Sequence, residues 1–312
     1  MPTTGFEPKL FEKDDIDNWK MYLENEGFVV IKNVLTETEL NAGLDIFKED
    51  MKMVSPNFDM NNSSKLNINT CPIMYGKGMA IFNGFGQSNF MWHLRTNPQI
   101  QDIYKHVYDD DDLVVSMDGF SMFVSSEQKS KSWLHIDQNP KNSLYSIQGS
   151  FNYLPVASNK DSGFVVVPKS HKTYKPKINT NKDWFVCENQ PIEESRKLII
   201  PENCLTLWNS RTIHANEGIF KPGTSFNRLT CYVTFQPKKF RKEKIKKKRV
   251  IAYLKGETTS HWANRCELKR YPFGFKSRYE ARGFGKIIPK LEDEYEDGKL
   301  KKKIPNERLI LL

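Results

Sequence analysis

The sequence predicts a mainly β protein with flanking helices, a β-sandwich or jelly roll with helices packed on one side. Strand-like runs follow one another after residue 113, separated by loops rich in Gly, Pro, Asn and Lys. Helical patterns are confined largely to the residues before 110. Aromatic residues make up 12% of the 312, which favours β-rich packing. A chain of this length can bury a substantial core.

The elements follow in order. Ile16, Trp19 and Leu23 fall at i, i+3 and i+7 in 14–25, one face of an amphipathic helix, and Gly27 stops it. F-V-V-I-K-N-V (28–34) is a short β-branched strand. Thr36 with Glu39 is a capping box, and the helix it opens sets Leu40, Leu44, Phe47 and Met51 on one face. Asn, Ser, Gly and Pro make 55–86 loops. Residues 87–95 read as helix, and Asn97-Pro98 caps another through Ile100, Ile103, Tyr104 and Val107. The strand-like runs are 113–124, 144–154, 163–168, 204–209 and 228–235. No internal repeat is visible. The expected organisation is residues 1–237, with a helical part 10–110 and a β core 113–237, then a basic C-terminal extension 238–312 packed on or next to the core.

Composition excludes several classes. The five cysteines are scattered, with no C-x-x-C, which argues against a zinc ribbon or a secreted disulfide framework. The first residues hold no apolar run suited to a signal peptide, and no stretch approaches a membrane span. A cytoplasmic protein is expected. The net charge is +9, and residues 238–249 alone hold nine Lys/Arg and one Glu. The basicity is therefore local. It reads either as a solvated, partly helical face or as a phosphate-contacting patch, for nucleic acid or an anionic substrate. No nucleic-acid motif accompanies it.

The chemistry lies in W-L-H-I-D-Q-N-P, residues 133–140. On a strand, His135 and Asp137 point to one side. An imidazole and a carboxylate suit a divalent metal such as Fe(II), and a second histidine would complete a facial triad. An isolated H-x-D is a weak signal. His214, just after a buried-looking strand, is the candidate third ligand among six histidines. Arg228 opens the last strong strand; a buried arginine needs an anion, and its planar fork pairs with a carboxylate. His171 reads as a rim or structural residue. His261 and Trp262 read as a cap holding a C-terminal element against the barrel.

In order along the chain, G-F-V-V-I-K-N-V-L-T-E-T-E-L (27–40), L-H-I-D (134–137), S-I-Q-G-S-F-N-Y-L (146–154), S-G-F-V-V-V-P-K-S-H-K (162–172), R-T-I-H-A-N (211–216) and R-L-T-C-Y-V-T-F-Q-P (228–237) resemble the phytanoyl-CoA dioxygenase family of Fe(II)/2-oxoglutarate oxygenases. The resemblance covers roughly 20–240. It implies a double-stranded β-helix, a cupin-like jelly roll. It implies that His135, Asp137 and His214 ligate iron, that Arg228 holds the distal carboxylate of 2-oxoglutarate, and that Gln148 lies near co-substrate or substrate. O2 would be the oxidant and a small-molecule or lipid-like compound the substrate. Halogenases of the family replace the carboxylate ligand by a small residue; Asp137 is present, so the resemblance implies a hydroxylase releasing succinate and CO2. The chain departs from the family pattern at Lys169 (usually Gly), at Asn216 (often Ser) and at Ala263 in T-S-H-W-A (a Pro in some members). Its interval from His214 to Arg228 is also a few residues longer than usual. A jelly-roll binding module without catalysis, contacting nucleic acid through 238–249, is the alternative reading.

Overall fold

A computed structural model describes the chain apart from residues 1–3, 68, 73, 75–77, 125–131, 177–180, 219–223, 271–281 and 298. In chain order the strands of its two main sheets are β1 (Thr4–Phe6), β2 (Leu10–Phe11), β3 (Phe28–Ile31), β4 (Met79–Ala80), β6 (Phe120–Val124), β7 (His135–Ile136), β8 (Ile147–Asn152), β9 (Gly163–Val166), β10 (Phe185–Val186), β11 (Arg196–Leu198), β12 (Cys204–Asn209), β13 (His214–Glu217) and β14 (Phe226–Tyr232). One sheet runs β1-β11-β9-β13-β7-β10 and the other β2-β3-β12-β8-β14-β6-β4. A small third sheet pairs β5 (Leu113–Val115) with β15 (Phe235–Pro237). The two facing sheets are the jelly roll, with helices on one side.

Alternation explains why β3 reads as apolar throughout. Phe28 and Val30 join the cluster between the sheets, whereas Val29 and Ile31 join the larger cluster under the helices. β12 divides the same way, with Cys204 and Trp208 inward and Leu205 and Leu207 outward. Both faces are buried, and the inward face of the sheet also carries polar side chains such as Gln148 and Arg228. The outer cluster also takes Trp19 from α1 (Ile16–Glu26), Phe47 from α2 (Glu37–Val54), Trp92 from α3 (Asn89–Arg95) and Tyr104 from α4 (Pro98–Tyr108). The capping box forms as the sequence predicts: Thr36 accepts from the Glu39 amide and Glu39 reaches back to Thr36. Gly27 closes α1 at φ +80, and a Cβ there would lie 2.3 Å from His171 Nδ1. Glycine is therefore needed for both conformation and space.

Two boundaries differ from the sequence reading. Residues 113–124 are not one strand: β5 and β6 belong to different sheets. The break falls at Gly119, where a Cβ would come within 2.0 Å of the Ala80 carbonyl, so only glycine admits β4 alongside. Residues 228–235 likewise divide between β14 and β15.

The segment after residue 237 contributes directly to the core. α6 (Glu243–Leu254) buries Arg249, Ala252 and Tyr253. Arg249 donates from Nε to the Leu312 carbonyl at 2.7 Å, from Nη1 to Arg265 O at 3.0 Å, and from Nη2 to Val115 O. One guanidinium thus ties α6, β5 and the last residue together. Leu311 and Leu312 are buried. Arg249→Ala leaves three carbonyls without a donor, and should cost on the order of 3 kcal/mol. Thermal unfolding should show a loss of several degrees; an unchanged midpoint would contradict this role. No helix among the described residues is long and apolar enough to cross a membrane.

Candidate metal centre

β7 and β13 run antiparallel with His135 and His214 directly opposed. Cross-strand partners share a face, so the imidazoles lie side by side, with centroids 4.4 Å apart. Asp137 lies in a bend just beyond β7, not on the strand as its spacing suggested. Its amide donates to Ser210 O at 3.0 Å, which fixes the bend. Its carboxylate oxygens stand 3.7 Å from His135 Nε2 and 3.2 Å from His214 Nε2. One donor atom from each of the three falls within 4.8 Å of the others, and all three residues are buried.

The backbone selects the tautomer. His135 Nδ1 lies 2.9 Å from Trp133 O and His214 Nδ1 lies 2.8 Å from Thr212 O. A carbonyl only accepts, so each Nδ1 carries a proton, which leaves each Nε2 as the ring atom turned toward Asp137. This is the arrangement metal-binding histidines adopt. Burial, then the neighbouring His214, pushes His135 down to about 4, which keeps its lone pair available at neutral pH. Burial alone would raise the Asp137 carboxyl; the imidazoles of His261, His214 and His135 outweigh it and hold the group well below the usual range. The donor set of two nitrogens and one carboxylate fits a divalent first-row metal.

Gln148, on β8, donates from Nε2 to Asp137 Oδ2 at 2.9 Å and to Ser210 Oγ at 3.2 Å. Its contact is thus with the carboxylate of the triad. Arg228, on β14, is buried, with Nε on Thr230 Oγ1 at 3.1 Å and Nη2 on Asn216 Oδ1 at 2.9 Å. Nη1 is buried without a partner. Asn216 occupies the position where the sequence departs from the family pattern, and it orients Arg228. Burial pushes the guanidinium down from its ordinary value.

A cavity of about 370 Å³ is lined by His135, Asp137, His214, Gln148 and Asn216, with Arg228 behind Asn216. Trp133 stacks on His135 with centroids 4.4 Å apart, and Trp184 lies 5.8 Å from the same ring. Phe164, Trp208, Met79 and Ile81 add apolar wall; Asp118, His261 and Lys269 add polar groups. His261 was read from the sequence as a cap for the C-terminal element. It does neighbour Trp262, at 5.0 Å between centroids, but it also lines the cavity and its buried Nε2 has no partner. The signal was T-S-H-W itself, yet nothing local says that this turn returns to the mouth of the barrel. The remaining histidines lie elsewhere: His93 contacts Glu39 O, His106 faces Asp102, and His171 contacts Glu24 O at the end of α1.

Comparison with known proteins agrees with this architecture. No protein-family profile matches the chain. Ava biosynthesis cluster protein O of Aspergillus versicolor is 25% identical over 255 residues, covering 74% of this chain and 81% of that protein. Among solved structures, the non-haem α-ketoglutarate-dependent carbocyclase SnoK from nogalamycin biosynthesis superposes with a TM-score of 0.51 at 15% identity, covering 73% of this chain and 87% of that one. The epimerase SnoN, solved with Fe3+, α-ketoglutarate and nogalamycin RO, gives 0.50 at 13% identity, covering 72% and 85%. EctD from S. alaskensis, solved with 2-oxoglutarate and 5-hydroxyectoine, gives 0.50 at 8% identity, covering 81% and 84%. At these identities the likeness establishes the fold, a jelly roll.

Proposed function

We propose that this chain is an Fe(II)- and 2-oxoglutarate-dependent dioxygenase of the phytanoyl-CoA dioxygenase type. It hydroxylates a C–H bond of an organic substrate, with release of succinate and CO2. The observation that carries the proposal is a pair of complementary features. Two Nε2 lone pairs and a carboxylate converge on one point, and a buried guanidinium joined to the cavity through Asn216 lacks an anion.

His135, Asp137 and His214 would hold iron, leaving positions free for co-substrate and O2. Iron supplies the oxidising power when bound; the chain supplies binding, orientation and exclusion of water. Arg228 would take the far carboxylate of 2-oxoglutarate on Nη1. Gln148 keeps the Asp137 carboxylate in place. The stack of Trp133 on His135 shields that ligand from solvent. The apolar wall suits the body of a small-molecule or lipid-like substrate, with few polar groups to orient it. We assign the catalytic unit to 1–237, with the extension 238–312 lending His261 and Lys269. The names of the fold neighbours support small-molecule chemistry, since SnoN was crystallised with nogalamycin RO and EctD with 5-hydroxyectoine.

Anaerobic addition of Fe(II) and 2-oxoglutarate to the purified protein should produce a visible charge-transfer band, and air should then yield succinate. A protein showing neither is the alternative, a jelly-roll binding module. Gln148→Leu keeps the bulk and loses the hydrogen bond to Asp137. Fe(II) affinity, read by competition with a chelator, should fall by about tenfold, the lower end of the range for such outer partners.

A further inference from the structure

The basic run read from the sequence separates by position. Lys238 and Lys239 pair with Asp112 and Asp110 at 3.1 and 2.7 Å. Arg241 and Arg249 are buried. Lys244, Lys247, Lys248 and Lys255 are exposed, and none forms an ion pair among the described residues. The contrast is the hairpin of Glu292–Glu296 and Lys299–Lys303, where Lys301, Lys302 and Lys303 each meet a carboxylate.

Positions 244, 247, 248, 251, 254 and 255 recur every three or four residues, so they share one face of α6. Ile251 and Leu254 sit on this face, 52% and 50% exposed. Lys286 donates to Lys255 O at 2.9 Å and Tyr253 to Lys290 O at 2.7 Å, so residues 286–290, with Ile288 81% exposed, are tied to the end of the helix. Along the same flank runs a groove of about 550 Å³ with Ile251, Ala252 and Leu268 in its lining, and with three cations, Lys248, Lys255 and Arg270, against one carboxylate, Glu257. What distinguishes this face is the combination of three exposed aliphatic side chains with four lysines that form no ion pair among the described residues. Sequence-independent nucleic-acid binding rests on cations and stacking aromatics, and this face of α6 presents no aromatic side chain. An anionic phospholipid surface uses both, the headgroups taking the lysines and the acyl boundary the aliphatic side chains.

We propose that the exposed face of α6, with Ile288 and the adjoining groove, docks peripherally on an anionic phospholipid surface. The site stands close by. Along 265–270, Arg265, Glu267 and Lys269 line a chamber that also touches Asp137, whereas Cys266, Leu268 and Arg270 line the groove. This is the alternation of an extended segment, and it sets the groove and that chamber on opposite sides of residues 265–270.

The test is co-sedimentation of the full chain with phosphatidylcholine vesicles, with and without phosphatidylserine, at low and high salt. Binding should require phosphatidylserine and weaken with salt. Lys247→Glu/Lys248→Glu and, separately, Ile251→Ser/Leu254→Ser should each weaken it by about tenfold or more. All four positions are exposed, and unchanged thermal unfolding checks that the variants fold. Three results would overturn the proposal: no binding to phosphatidylserine vesicles at low salt, full binding by the Ile251→Ser/Leu254→Ser variant, or tighter binding to double-stranded DNA that the same variant leaves unchanged. The last would make the face a polyanion or nucleic-acid surface.

Discussion

Asp137→Ala should remove Fe(II)-dependent succinate release from 2-oxoglutarate, with a loss greater than the roughly hundredfold upper range of outer-partner changes. Asp137 is the anionic member of the triad, and of its two imidazole partners His135 is pushed down to about 4 by burial and by the neighbouring His214. Without the carboxylate, nothing in the triad offsets the dication's charge in a buried place, and the two remaining nitrogens define an edge rather than a face. The loss should appear first in the anaerobic charge-transfer band and in Fe(II) affinity, before any turnover is measured. The fold should survive, because the bend is held by the Asp137 amide on Ser210 O, which alanine keeps, and Gln148, losing the carboxylate, retains Ser210 Oγ. Far-ultraviolet circular dichroism and thermal unfolding check that point. A folded Asp137→Ala protein that still binds iron and forms the band would sink the assignment of this triad.

The parts of the fold that local chemistry decides were legible in the sequence. Thr36 and Glu39, Asn97 before Pro98, and Gly27 each stop or start a helix through groups within a few residues, and the structure places the caps there. The β core was legible as a succession of runs, but not as sheets. Residues 113–124 divide because β5 pairs with β15 while β6 pairs with β4 and β14, partners distant in sequence. The triad residues could be named because histidines are few and H-x-D is compact; their convergence depends on the pairing of β7 with β13, which no local pattern encodes. The basic run was legible as charge but not as burial, for a related reason. Lys and Arg look alike in a charge count, yet Arg249 is a core residue satisfied by three carbonyls while Lys247 and Lys248 are exposed. His261 shows the same limit: its position depends on the C-terminal extension folding back across the barrel mouth.

Arg228→Met should raise the KM for 2-oxoglutarate by about ten- to hundredfold, the equivalent of one lost charged hydrogen-bond pair of roughly 1.5–3 kcal/mol. The argument rests on which of its atoms are engaged. Nε is held by Thr230 and Nη2 by Asn216, so the fork is fixed in direction before any ligand arrives, and Nη1 remains for an incoming carboxylate. Both protein partners are neutral oxygens, so the buried charge is solvated but not neutralised. That predicts opposite effects on the two forms of the protein. Without 2-oxoglutarate, Arg228→Met should be as stable as the wild type or more so, since methionine fills much of the volume without burying a charge. With 2-oxoglutarate and iron, the wild type should gain thermal stability that the variant does not. Arg228→Lys keeps the charge but loses the planar fork and its two anchors, and should fall between the two. A variant that loses stability in the ligand-free state and binds 2-oxoglutarate normally would show Arg228 to be structural, with the co-substrate carboxylate held elsewhere.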